Sequence, residues 1–132
     1  MTSDIERAWA AGFFDGEGNI SFQGNAKQLS GTPHGRLTVQ ITQHYSPEAL
    51  ERFQAAVGGI GRIYGPYHHK DGRGGEKSVY WKYVASHRGA FEAIAVIFPF
   101  LCSVKADQAH DALWKAEACR RTLPQGRHFV IR

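Results

Sequence analysis

Cysteine is scarce in this chain. Two thiols, Cys102 and Cys119, in 132 residues cannot make a disulfide framework. Neither belongs to a C-x-x-C pair of the kind that holds structural zinc. Reduced thiols in an intracellular setting are the expectation: cytoplasm, nucleoid or organelle matrix rather than a secreted location. No run of about 18 apolar residues is present, so no membrane partner is expected. Asp4, Glu6, Asp15 and Glu17 place acidic charge where a secretory signal would have none. Repeats, low-complexity tracts and long linkers are also missing, so residues 1–132 read as one domain.

What is present suits a packed core. Apolar residues make up 42% and charged residues 21%, with eight Phe, five Tyr and three Trp, which excludes a disordered composition. Sixteen Lys and Arg face twelve Asp and Glu, a net charge of +4 before seven histidines are counted. A modest basic excess suits a nucleic-acid partner but is shared by many ordinary proteins.

Helical and strand periods alternate along the chain. Ser3-Asp4-Ile5-Glu6 reads as a capping box, and Ile5, Ala8, Trp9, Gly12 and Phe13 follow at helical spacing. That helix is expected to break at Asp15-Gly16-Glu17-Gly18, because paired glycines are poor helix interior. Two strands follow, 19–23 and 36–42, joined by a polar loop over 24–35. In the second strand Leu37, Val39 and Ile41 alternate with Arg36, Thr38, Gln40 and Thr42. Ser46-Pro47-Glu48 opens a second helix with Leu50, Phe53 and Val57 as its buried stripe, and Gly58-Gly59 ends it. A second hairpin is expected over 61–67 and 77–85, with its loop at 68–76. Phe91, Ile94, Ile97 and Phe98 mark a third helix that stops at Pro99, and Ala106, Ala109, Leu113 and Ala116 mark a fourth that stops before Pro124. The segment 126–132 carries no assignable pattern. The predicted class is α+β, in the order α-β-β-α-β-β-α-α. Both hairpins can pair into one four-stranded antiparallel sheet with helices on one face and an open polar face.

Ala10-Ala11-Gly12-Phe13-Phe14-Asp15-Gly16-Glu17-Gly18 carries the chemistry. It resembles the signature of the LAGLIDADG homing endonucleases, matching A-G-x-x-D-G-[DE]-G, with Ala10 in place of the leading Leu. Leu37 to Gln43 resembles the family's second strand, which ends in an active-site glutamine. Gly59-Ile60-Gly61 resembles the turn after its second helix. Pro99-Phe100-Leu101 with Lys105 and Gln108-Ala109 resembles its P-x-L-x-x-K-x-x-Q-A segment, one residue longer before the lysine. The similarity covers roughly residues 4–118, with the blocks in the family's order. The second basic residue that the family carries after the glutamine falls here near Pro47, so its role is empty or has passed to His44 or Arg52.

Physical chemistry gives these residues a reading of its own. Small side chains at Ala8, Ala11 and Gly12 let another helix approach closely. Glu17, with Asp15 nearby, then brings two carboxylates together at the tips of two such helices. A divalent cation must offset their repulsion, and hard oxygen ligands suit Mg²⁺. The resemblance adds the Gly16 carbonyl as a second ligand. Mn²⁺ is expected to substitute, and Ca²⁺ to support binding without cleavage. The same D-G-E-G run also reads as a plain helix stop. Gln43 lies by parity with Val39 and Ile41, either as a satisfied amide or, as the resemblance implies, holding the attacking water. Lys105 is either a solvated lysine or a phosphate contact.

The open face offers base-reading side chains: Asn19, Ser21, Gln23, Asn25 and Lys27 on the first strand, and His34, Arg36, Thr38 and Gln40 on the second. In the second hairpin Arg62, Tyr64 and His68 share one parity, and Tyr80 and Lys82 are placed outward because burying an unpaired lysine costs too much. Lys70, Arg73 and Lys77 are expected to meet phosphates. Each also reads as an ordinary solvated side chain. His68-His69 with Asp71 makes no metal cluster, since neighbours on a strand point to opposite faces. The resemblance implies a single-motif chain that works as a homodimer on double-stranded DNA. Its dimer interface would use Ala8, Ala11, Gly12 and Asp15, and it would make a Mg²⁺-dependent double-strand break at a long pseudo-palindromic site. A non-cleaving DNA- or RNA-binding protein of the same fold, such as an intron maturase or a regulator, is the alternative.

Overall fold

The computed structural model describes residues 2–25, 34–70 and 76–121. Its elements run α1 (Asp4–Glu17), β1 (Gly18–Asn25), β2 (His34–His44), α2 (Glu48–Ala56), β3 (Arg62–Lys70), β4 (Glu76–Ser86), α3 (Arg88–Ile97), a 3₁₀ turn at Phe98–Phe100, and α4 (Ser103–Arg121). This is the expected α-β-β-α-β-β-α-α order. The strands form one four-stranded antiparallel sheet in the order β1-β2-β4-β3, so β2 and β4 join the two hairpins. The helices pack on one face of it.

Strand parity decides what each face carries. Ile20, Leu37, Val39, Ile41, Tyr83 and Ala85 are buried beneath the helices. Their odd and even neighbours along the strands form the open face. An aromatic column ties the helices to this inner face. Phe14 of α1 stacks on Phe53 of α2 at 5.9 Å, and Phe53 meets the edge of Tyr83 at 5.0 Å. Tyr83 is fully buried and its hydroxyl donates to the Ile60 carbonyl at 2.6 Å, which pins the turn after α2 to β4. Burial pushes the Tyr83 phenol well above its ordinary range.

Three sequence expectations are sharpened or corrected here. First, α1 ends inside the expected Asp15-Gly16-Glu17-Gly18 run, continuing through Glu17 and stopping at Gly18. The Gly18 N–H donates to the Phe14 carbonyl, and any Cβ at Gly18 would collide with the Phe14 ring. Close approach to Phe14 therefore requires glycine at the residue where the helix ends. Second, the capping box forms by half. The Ser3 hydroxyl accepts from the Glu6 N–H at 3.2 Å, but the Glu6 carboxylate turns to Arg52, at 2.8 and 3.0 Å. Third, the second hairpin has longer arms than its periodicity suggested. A bulge between Tyr64 and Tyr67 changes the parity of β3, and the ladder then continues to Lys70 opposite Glu76. Gly65, at φ +131°, and Pro66, which has no N–H to donate, occupy that bulge.

Candidate functional site

The site begins at the C-terminal end of α1. Glu17 is the last helical residue and is exposed, and no basic residue sits in that last turn. The negative end of the helix dipole and an acidic side chain therefore coincide. Asp15 faces elsewhere: its carboxylate accepts the Cys102 N–H at 3.1 and 3.2 Å, which ties α1 to the segment entering α4. Hydrogen bonding to Asp15, followed by the charge of that carboxylate, holds the Cys102 thiol above its ordinary range.

Glu17 opens into a cleft of about 610 Å³. The end of β2 supplies Gln43, His44 and Tyr45 to its wall, and Asn19, Gln40 and Thr42 complete the lining. The structure thus brings Glu17 and Gln43 together, as expected. The Gln43 amide nitrogen donates to the Thr42 carbonyl at 3.0 Å, so this side chain is locally bonded and also lines the cleft. Lys105, half-buried in the first turn of α4, does not line it. Thr42 was placed on the polar side of its strand but not among the site residues, and Tyr45 was missed by sequence reasoning. Tyr45 is marked only by its backbone, a left-handed φ of +73° held by its N–H to the Val79 carbonyl at 2.8 Å.

The donor set suits a hard cation in kind and falls short in number. Among the described residues Glu17 is the one carboxylate lining the cleft. Among the described residues no group of three or more His, Cys, Asp or Glu could hold a metal ion. The face of α1 beside Glu17 is bare. Ile5 is 79% exposed, Ala8, Gly12 and Gly16 are exposed at spacings of three and four, and a Cβ on Gly12 or Gly16 meets nothing within 4 Å. Ala11 was expected on this face, but it points the other way and is fully buried in the core.

The open sheet face borders the cleft. Register sets Asn19 opposite Gln40, Ser21 opposite Thr38 and Gln23 opposite Arg36. The Arg36 guanidinium donates to the Ser86 hydroxyl at 3.1 Å. Across β4, Lys82 lies between Thr42 and Tyr64, and Val84 lies opposite Arg62. Tyr80 and Lys82 face outward, while Tyr83 is buried. His68 is a correction. The bulge places it opposite Val79 on the other face, and Tyr67 takes the outward place, its ring 5.3 Å from Tyr80. Lys70 is exposed at the end of β3. Lys27 and Arg73 lie outside the described residues, as do the side chains of Asn25, His34 and Lys77.

No family model and no curated protein matches the chain. Solved structures do. The homing endonuclease I-CvuI, in complex with a DNA target, superposes with a TM-score of 0.62 at 20% identity over 89% of this chain and 69% of that one. The intron-encoded endonuclease I-CeuI complexed with DNA gives 0.61 at 15% identity, over 92% and 58%. The LAGLIDADG meganuclease I-CpaMI bound to uncleaved DNA gives 0.59 at 25% identity, over 93% and 40%. The chain has the single-motif LAGLIDADG fold. It spans between two fifths and about two thirds of the length of these three proteins.

The sequence blocks that resemble the LAGLIDADG family occupy defined places in this fold. Ala11 to Gly18 is the second half of α1 and the turn into β1. Leu37 to Gln43 is β2, and Gly59-Ile60-Gly61 is the turn after α2. Of the two residues left open for the second basic role, Arg52 is committed elsewhere. Its guanidinium forks onto Glu6 and lies 4.0 Å over the Trp9 ring. That is the N-terminal half of α1, about 12–16 Å along the axis from Glu17 at 1.5 Å per residue.

Proposed function

We propose that the chain is one protomer of a sequence-specific DNA endonuclease. The observation that carries this reading is the position of Glu17. It ends a helix whose adjoining face is bare, and it opens into a cleft continuous with a polar sheet face. A second copy packed on Ile5, Ala8, Gly12 and Gly16 would bring a second Glu17 beside the first. The paired carboxylates and the Gly16 carbonyls would hold a hard divalent cation such as Mg²⁺. When bound, that cation supplies charge neutralisation and water activation for phosphodiester hydrolysis.

The remaining roles belong to the chain itself. Gln43 orients the attacking water from the cleft wall. Lys105, at the start of α4, offers a phosphate contact from outside the cleft. Asn19, Ser21, Gln23, Arg36, Thr38 and Gln40 offer the donors and acceptors that distinguish base edges in the major groove. Arg62, Tyr64, Tyr80 and Lys82 extend that surface over the second hairpin. Two protomers related by a two-fold axis read a pseudo-palindrome, and the site is an intracellular one.

The reading is tested by incubating the protein with a random duplex library, first in Ca²⁺ and then in Mg²⁺. Retention in Ca²⁺ and recovery of cut ends from one motif in Mg²⁺ is the expected result. Retention without cut ends in either ion would instead favour a non-cleaving binding protein of this fold. No retention at all would overturn both.

A further inference from the structure

We propose that His44 supplies the cationic contact to the scissile phosphodiester in this cleft. The inference rests on the endonuclease reading above and names a residue that reading leaves open. A phosphodiester brought to Glu17 carries negative charge into a site that already holds a carboxylate. A cationic or proton-donating group of the protein facing it would add to the charge stabilisation that a bound metal gives. Of the described side chains lining the cleft, His44 alone can carry a positive charge. Arg52 is held by Glu6 and Trp9 at the opposite half of α1, and Lys105 does not line the cleft.

The ring is also held in place. His44 is the last residue of β2 and shares the open-face parity of Gln40 and Thr42. Its imidazole stands 5.7 Å from the Tyr80 ring across the β2–β4 pair and 6.0 Å from the Tyr45 ring. Tyr45 keeps its left-handed backbone through the bond to Val79, so this bracket is fixed to β4. A non-glycine residue held in that region is strained, and such positions concentrate at functional sites. The charged groups nearest along these elements are Glu17 across the cleft and Lys82, opposite Thr42. An imidazole bracketed by two rings, exposed at the junction of cleft and sheet, is built to donate to a phosphate oxygen.

The test is single-turnover cleavage of the selected duplex in Mg²⁺ by the parent, His44→Gln, His44→Arg and Arg52→Gln proteins. His44→Gln should lower the rate about 100-fold, the usual loss of one charge-stabilising donor. Its affinity for the duplex in Ca²⁺ should change little. His44→Arg should recover most of that loss, and Arg52→Gln should cut at the parent rate. Parent-like cleavage by His44→Gln would overturn the proposal and leave the endonuclease reading standing. So would an Arg variant as slow as the Gln variant. If the parent binds duplex without cutting any, the endonuclease reading fails instead. The His44 proposal is then read by the imidazole proton resonances, assigned by their loss in His44→Gln. They should shift when duplex is added in Ca²⁺, and unmoved resonances would overturn it.

Discussion

Gly18→Ala should damage both the fold and the site, for a reason visible in one contact. A Cβ at Gly18 would stand 2.5 Å from Phe14 Cγ and closer still to Cδ1 and Cε1. Carbon atoms rest at about 3.5–4.0 Å, so roughly 1 Å or more must be recovered by moving a backbone or a ring. The ring has little freedom. Phe14 is fully buried and stacked on Phe53, which is itself wedged against Tyr83. Overpacking of this kind costs about 1–3 kcal/mol. With about 2.1 cal/mol/K of unfolding entropy per residue, a 132-residue chain loses about 4 °C of Tm per kcal/mol, hence about 4–11 °C in all. Glu17 is the neighbouring residue, so relief of the clash shifts its carboxylate relative to Gln43. A displacement near 1 Å can cost about 100-fold in rate. The assay is thermal unfolding followed by single-turnover cleavage, for Gly18→Ala, Phe14→Leu and the double variant. Leucine removes ring atoms from the point of collision, so the double variant should be more stable than the sum of its parts. A Gly18→Ala protein melting within about 2 °C of the parent would refute the requirement for glycine against Phe14.

Three further outcomes are expected. Glu6 is held below its ordinary range by its hydrogen bond to Arg52, so the pair stabilises the fold above the usual carboxylate range and ceases to as pH falls through the lowered value. Parent and Glu6→Gln melting curves should therefore differ slightly at neutral pH and converge in acid, and a gap that persists in acid contradicts the assignment. Gly12→Leu adds a side chain into open space on α1, so the protomer should keep its circular dichroism and Tm while sedimentation velocity shows lost self-association. Unchanged sedimentation of an associated species would move the interface elsewhere. Arg36→Ala should relax base preference at one position of each half-site and cost about 1–3 kcal/mol, while Lys70→Ala should weaken all sequences alike and flatten the salt dependence. An unaltered site profile for Arg36→Ala would remove β2 from the reading surface.

Much of this arrangement was legible in the residues, and the failures have specific causes. Alternation of Leu37, Val39 and Ile41 with polar neighbours gave β2 and its faces, and the charge of Lys82 chose the correct register for β4. The end of α1 falls inside the run Asp15–Gly18 that the glycines mark, whereas the need for glycine at Gly18 itself comes from contact with Phe14 and leaves no local pattern. Ala8, Ala11 and Gly12 lie within about 100° of one another on the helix, so periodicity alone cannot say that Ala11 turns inward. His68 was placed on the wrong face because one bulge at Gly65-Pro66 reverses every parity after it. The fate of Arg52 depended on Glu6, 46 residues away, a tertiary pairing that no local pattern encodes.

On the function proposed above, Glu17 is the metal-binding carboxylate of a DNA endonuclease. Glu17→Gln is nearly isosteric, and the residue is exposed at a helix end, so the fold should survive. The direct measurement is single-turnover cleavage of the selected duplex by Glu17→Gln at saturating protein in Mg²⁺, with duplex affinity measured in parallel. The account predicts cleavage slower by orders of magnitude, with affinity kept or raised because negative charge has been removed near phosphates. Cleavage by Glu17→Gln at the parent rate would contradict it and leave D-G-E-G as no more than the end of a helix.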